Sequence, residues 1–307
     1  MRIVIAGGSG FLGRALADSL AAAGHRIQIL ARRRQAPPEF GAVSQFERIA
    51  WTPDGTANGP WASSCTGAEV IVNLAGESIA AGRWTAACKT QLRDSRILAT
   101  RSLVHFIAEA EQPPAALISA SAIGYYGDRG SEALTEEAGP GGDFLAQLGT
   151  EWEKEALAAQ GGRTRVVLLR TGIVLDPQEG ALAKMVTPFR LFAGGPFGSG
   201  RQSMSWIHRD DWVSLARWTV ETPDVRGPVN LTAPNQVTNA EFARALGRAL
   251  HRPAFIPAPG LALKLILGEM AGPLLLYSQR VVPARALAGG FRFAHPTLDD
   301  ALADLLK

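Results

Sequence analysis

The sequence predicts an α/β fold, a doubly wound parallel sheet with a small helical lobe at its carboxyl-terminal end. Three observations predict it. Short apolar runs alternate with longer helical patterns through the first two thirds of the chain, the signature of β–α units. The runs Val70-Ile71-Val72 and Val166-Val167-Leu168-Leu169 are apolar at every residue, as strands covered on both faces require. A glycine-rich turn, Gly7-Gly8-Ser9-Gly10-Phe11-Leu12-Gly13, joins the first strand to the first helix.

The elements follow in order. Strands are expected at residues 2–6, 26–31, 48–51, 69–73, 115–121, 164–170 and 228–232, and helices at 11–23, 85–111 and 143–159. Right-handed crossovers then give the strand order 3-2-1-4-5-6 with later additions. From Asn239 onward the pattern is helix only: 239–250, with Thr238 or Asn239 as cap, a linker marked by Pro253, Pro257 and Pro259, then 261–288 and 297–306. The division expected is a nucleotide-binding domain over residues 1–232 and a helical lobe over 233–307.

Composition narrows the function classes. The 307 residues carry 31 basic and 28 acidic side chains, a net charge of +3, too small and too dispersed for a nucleic-acid-binding surface. Cys65 and Cys88 form no C-x-x-C pair, so the thiols are expected to stay free in a reducing cytoplasm, with no metal site. The start lacks the apolar run of a secretory signal, and Lys264, Glu269 and Pro273 interrupt the apolar stretch 261–277, so no membrane association is expected.

The glycine turn carries the chemistry. Gly7, Gly10 and Gly13 fit G-x-x-G-x-x-G, and Gly8, Gly10 and Gly13 fit G-x-G-x-x-G. One glycine makes the tight turn, one lets backbone approach a diphosphate, and the third lets helix and strand pack. The helix that opens at Phe11 and Leu12 offers free N–H groups and a positive dipole end. This is the phosphate loop of a Rossmann domain. A site for NAD places an acid at the end of the second strand; here that strand runs into Arg32-Arg33-Arg34. Guanidinium forks suit a 2′-phosphate, so Arg32 and Arg33 point to NADP(H).

Further segments carry a family resemblance. They are Asn73-Leu74-Ala75-Gly76-Glu77, Arg83-Trp84, Ser95-Arg96, residues 118–127, Gly141-Gly142-Asp143-Phe144, Trp152-Glu153, Gly194-Gly195-Pro196 and Trp206-Ile207-His208. With the glycine loop they resemble the extended short-chain dehydrogenase/reductases, and within them an atypical, sugar-epimerase-like family, from Met1 to about Leu306. The resemblance implies that Leu74, Ala75 and Gly76 pass beside the adenosine and diphosphate. It implies that Gln91 and Arg96 of the long helix reach toward diphosphate or ribose, that Ser119 backs the nicotinamide ribose, and that Thr171, Gly172 and Ile173 flank the nicotinamide.

The usual proton-transfer pair of that superfamily is absent. Tyr125, Tyr126 and Tyr277 are followed four residues later by Arg129, Gly130 and Val281, so no Tyr-x-x-x-Lys exists, and the aligned helix positions hold Leu145 and Gly149. Ser121 stands at the serine position, and Tyr125 or Tyr126 follows within one loop as a candidate proton donor. His208 is read as a structural histidine ahead of a helix capped by Asp210 or Asp211, and Glu77 as a residue that fixes its loop. The expectation is an NADP(H)-dependent oxidoreductase or epimerase-like enzyme acting on a small molecule with non-standard acid/base groups, monomeric or homodimeric. The alternative is a protein that binds NADP(H) as a sensor, without chemistry.

Overall fold

The computed structural model describes residues 1–32 and 46–307. The chain runs β1 (Arg2–Ala6), α1 (Phe11–Ala22), β2 (Arg26–Ala31), β3 (Glu47–Ala50), α2 (Pro60–Cys65), β4 (Val70–Asn73), α3 (Ala86–Glu109) and β5 (Ala116–Ala122). A 3₁₀ turn (Ile123–Tyr126) leads to β6 (Ala133–Leu134), α4 (Phe144–Leu157), β7 (Arg165–Thr171), β8 (Ile173–Leu175) and α5 (Gly180–Arg190). There follow β9 (Ser203–Met204), β10 (Trp206–His208), α6 (Arg209–Glu221), β11 (Gly227–Leu231), β12 (Val237–Thr238) and α7 (Asn239–Leu250). The chain closes with α8 (Gly260–Leu267), β13 (Arg280–Val281), α9 (Ala284–Ala288) and α10 (Leu298–Leu305).

Seven strands make one parallel sheet in the order β11-β7-β5-β4-β1-β2-β3, the doubly wound order with β11 added at one edge. Alternate residues of each strand face opposite layers. Ile3, Ile5, Val72, Ile118 and Leu169 pack with Leu16 and Leu20 of α1 and Trp212 and Leu215 of α6. Val4, Ile71, Leu117 and Leu168 pack on the other face with Leu103 and Phe106 of α3 and Trp61 of α2. Each such buried aliphatic side chain contributes about 1.5–3 kcal/mol, which is why the polar exceptions on these strands stand out.

A third core forms the lobe. Phe242 and Leu246 of α7 and Leu298 and Leu302 of α10 meet Leu182, Val186 and Phe189 of α5 and Trp206 of β10, so residues 175–206 contribute to it together with the tail. Thr238 caps α7 through a reciprocal capping box with Glu241. The helix expected over 261–288 is broken: α8 stops at Leu267, a π turn occupies Gly272–Leu276, and β13 intervenes before α9. Gly268, at φ 64°, ends α8, and Pro273 and Pro283 bar an uninterrupted helix. The sequence reading missed α2, which is short, and α5, whose apolar period Pro188 interrupts, and it placed α6 only as the helix that follows His208.

Candidate functional site

The β1–α1 turn is shaped by what glycine permits. Gly7 has φ 78°, and a Cβ there would stand 2.7 Å from the Leu74 carbonyl, so only glycine lets this turn meet the β4 loop. A Cβ on Gly13 would collide with the Gly7 carbonyl, which fixes helix against turn. Gly10 is exposed, caps α1 with extended backbone and offers no side-chain hydrogen bond. The amides of Phe11, Leu12 and Gly13 therefore donate to no described residue. A Cβ on Gly10 would meet only the Gly7 carbonyl, at 3.3 Å, so the space beside it is open among the described residues. Donors left bare, with the side chain that would cover them missing, fit a diphosphate.

The β4 loop forms the opposite wall. Asn73 is fully buried; its Nδ2 donates to Thr100 Oγ1 at 2.9 Å, and its Oδ1 accepts the Ala75 amide at 3.2 Å. Ser119, also fully buried, lies 3.5 Å from the same Nδ2. These contacts hold Leu74 and Ala75 half-buried, facing Gly7. Arg96 of α3 reaches the loop from behind, donating to the Leu92 and Glu77 carbonyls at 2.9 Å each. Gly76 makes room for it, since a Cβ there would press on the guanidinium at 3.3 Å. Burial pushes the Arg96 guanidinium down to about 10 against the pull of Glu77. Arg96 acts here by holding the loop in place, while Gln91, earlier on α3, is exposed.

At the carboxyl end of β2, Arg32 is exposed and its Nη1 lies 2.7 Å from Glu77 Oε1. Arg33 lies outside the described residues. At the end of β7, Gly172 lets the chain leave the sheet: a Cβ there would sit 2.7 Å from the Ser205 carbonyl. Thr171 and Ile173 flank it half-buried, with Thr171 Oγ1 accepting from Trp212 Nε1 at 3.1 Å.

The three candidate hydroxyls have different surroundings. Ser121 is buried and donates to Glu153 Oε1 at 2.6 Å. Glu153, on α4, is held by a bidentate pair from Arg170 of β7, with Nε and Nη2 both at 2.8 Å. Arg170 Nη1 also donates to the Tyr126 hydroxyl at 3.0 Å and to the Glu136 carbonyl at 3.1 Å. Tyr126 is fully buried and donates to Asn230 Oδ1 at 2.7 Å; burial pushes its phenol up to about 12 despite Arg170. Tyr125 is half-buried, with its ring 3.7 Å from the Arg170 guanidinium, and its hydroxyl bonds to no described residue. The helix positions that usually carry tyrosine and lysine are packed against this turn: Leu145 lies on Gly124, and a Cβ on Gly149 would stand 3.3 Å from Tyr125 Cα.

Sequence reasoning missed the Glu153–Arg170 pair. Its signal was Arg170 directly after the buried apolar run Val166–Leu169, where a charge must find a partner. The cap of α6 also differs from expectation. His208 itself caps the helix, its Nδ1 accepting the Asp210 amide at 3.1 Å, while Asp211 accepts the Ala294 and His295 amides. His208 stacks on His295 at 3.9 Å, and burial followed by repulsion from His295 holds its imidazole below the usual range. Ligand atoms of His208, His295 and Asp304 gather within 4.8 Å. With Nδ1 accepting a hydrogen bond, the neutral ring carries its proton on Nε2, which is no metal-ligand state.

Comparison with known proteins gives these features a context. Residues 3–231 match the NAD dependent epimerase/dehydratase family, and residues 258–305 match a domain of unknown function, DUF1731. The Bos taurus epimerase family protein SDR39U1 is 40% identical over 311 residues, covering all of both chains. Epimerase family protein YfhF of Bacillus subtilis is 37% identical over 307 residues, covering 100% of this chain and 98% of its own. A crystal structure of human SDR39U1 with NADPH superposes with a TM-score of 0.89 at 35% identity, over 100% of this chain and 99% of that one. UDP-glucose 4-epimerase from Thermus thermophilus, in complex with NAD, shares the fold at 15% identity, with a TM-score of 0.78. The glycine loop, the parallel sheet and the helical tail are thus those of a known lineage, and the chain belongs to the NAD dependent epimerase/dehydratase family.

Proposed function

We propose that this protein is an NADP(H)-dependent oxidoreductase in which Tyr125 is the proton donor to a carbonyl substrate. The cofactor part rests on the bare amides of Phe11, Leu12 and Gly13, on the cationic end of β2 and on similarity to a relative crystallised with NADPH. Gly7, Gly10 and Gly13 would admit the diphosphate, with Leu74, Ala75 and Gly76 beside it. Arg32, with Arg33, would take the 2′-phosphate, and Thr171, Gly172 and Ile173 would border the nicotinamide. When bound, NADPH supplies a hydride from nicotinamide C4 to a carbonyl carbon and leaves as NADP⁺.

The chemical part rests on one observation: of Ser121, Tyr125 and Tyr126, only Tyr125 has a hydroxyl not consumed by a described neighbour. The Tyr125 O–H bond breaks as the carbonyl oxygen gains charge, the proton passes to that oxygen, and water restores the phenol. The Arg170 guanidinium, 3.7 Å from the ring centre, holds the Tyr125 ring in place. Ser121 orients Glu153 and, through it, Arg170, and so acts as a positioning residue.

Mixing the protein with NADPH and a panel of aldehydes, ketones and nucleotide-sugar ketones, while following 340 nm absorbance, tests this reading. Decay with at least one carbonyl is expected, and Tyr125→Phe should slow it by about 100-fold at unchanged NADPH affinity. Full turnover by that variant would overturn the role of Tyr125. A second reading, NADP(H) binding without chemistry, is favoured by the packing of Leu145 and Gly149, which leaves no relay lysine. Tight NADPH binding with no decay across the panel would establish it.

A further inference from the structure

Among the described residues, the large apolar side chains more than half exposed are Leu191, Phe192, Phe255, Leu261, Leu265 and Ile266. They fall in three segments that the backbone ties together. Ile256 N donates to the Gly194 carbonyl at 3.1 Å, Ala258 N to Pro196 at 2.9 Å, and Gly198 N to Ala258 at 2.9 Å. The first segment ends α5, the second crosses it on this ladder, and the third is α8, which starts two residues beyond the ladder. Helix α8 has no buried residue and bears Lys264 as its only charge. Leu267 packs toward Trp84 and Met270, while Leu261, Leu265 and Ile266 stay open to water; apolar side chains grouped in this way are unfavourable there unless they meet an apolar phase.

The charge around this face has one sign. Residues 180–209 and 242–268 contain no Asp or Glu. Arg244, Arg252 and Phe255 line a groove of about 690 Å³, and the Arg252 guanidinium lies 4.8 Å over the Phe192 ring. The acids that border it are engaged: Glu241 in the α7 capping box, Asp299 with Arg248, and Glu269, just past α8, with Lys89. A second copy docked through the same face would set Arg244, Arg252 and Lys264 against their own kind. Nucleic acid would satisfy the cations but offers the aliphatic side chains of α8 nothing to enter. An anionic bilayer offers both phosphates and an apolar phase. No helix of the described chain is long and apolar enough to cross a membrane, and eight residues of α8 lie in an interface rather than span one.

We propose that this face docks on an anionic lipid bilayer, with Phe255, Leu261, Leu265 and Ile266 at the acyl boundary and Arg244, Arg252 and Lys264 against headgroup phosphates. The proposal revises the expectation of no membrane contact and is independent of the reaction at Tyr125.

Sedimentation of the full-length protein with lipid vesicles tests it. The wild type should pellet with phosphatidylcholine vesicles containing about a third phosphatidylglycerol, remain in solution with phosphatidylcholine alone, and be released by about 1 M salt. The triple variant Leu261→Ser, Leu265→Ser, Ile266→Ser should lower partitioning about tenfold or more, as should Arg244→Gln with Lys264→Gln. These side chains are on the surface, so all variants should keep the wild-type melting temperature, and Leu157→Ser, exposed on α4, should bind vesicles as the wild type does. Three results overturn the proposal: a wild type that ignores anionic vesicles, a triple-serine variant that binds them undiminished, or a wild-type dimer that the triple-serine change converts to monomer.

Discussion

Two places on one sheet edge treat their polar groups in opposite ways. At the β1–α1 turn, the amides of Phe11, Leu12 and Gly13 donate to no described residue, and Gly10 at the cap has no side chain to accept them. At the ends of β5 and β7, Ser121, Glu153, Arg170, Tyr126 and Asn230 satisfy one another in the core. Because unpaired buried donors are costly, a fold that leaves them bare reserves them for a ligand. A closed network has the opposite purpose, since its members already have their partners and add rigidity. The difference separates binding groups from supporting ones in a region where residue type alone does not.

The largest expected effect comes from breaking the closed network. Glu153→Ala leaves Arg170 buried and unpaired, and urea unfolding should show a loss of about 3–5 kcal/mol. Replacing both, Glu153→Leu with Arg170→Met, should recover most of it, because a paired charge and a packed apolar pair differ little. The open site should respond in affinity instead. Gly7→Ala brings a Cβ against the Leu74 carbonyl at positive φ, and NADPH affinity in calorimetry should fall about 100-fold, or ~2.7 kcal/mol. Arg32→Ala should weaken NADPH about tenfold and leave NADH unchanged, which separates the 2′-phosphate contact from the diphosphate contact.

The smallest effect concerns His208, a third arrangement in which one ring nitrogen is satisfied and the other is buried without a hydrogen bond. Its imidazole is held below the ordinary value of 6.5, by burial first and then His295, while Asp210, Asp211 and Asp304 pull the other way. The unfolded chain therefore takes the proton more readily, so this contribution is complete above about pH 6.5 and is lost as pH falls below it. Chemical denaturation between about pH 7.5 and 5.5 should show a loss of stability toward the acid end. His208→Asn, which can still cap α6, should flatten that limb.

The sheet and its order were legible because strands covered on both faces write apolar runs that few other structures tolerate. The glycine loop was legible because Gly7 and Gly13 answer separate steric demands at fixed spacing, with Gly10 between them as the bare cap of α1. The other half of the site was less so. Ser121, Tyr125 and Tyr126 were found as residue types, but which hydroxyl is consumed depends on Glu153 and Asn230, 32 and 104 residues away from the groups they engage. Spacing carries no trace of such pairings. The helix expected over 261–288 failed for a local reason, since Gly268 and Pro273 were weighed below the apolar period around them.

The central claim is that a diphosphate completes the amides at the start of α1. Titration calorimetry of the intact protein with NADPH and NADH tests it most directly. Saturable binding of one NADPH per chain, about tenfold tighter than NADH, is the result expected. Folded protein that releases no heat with either nucleotide would contradict it.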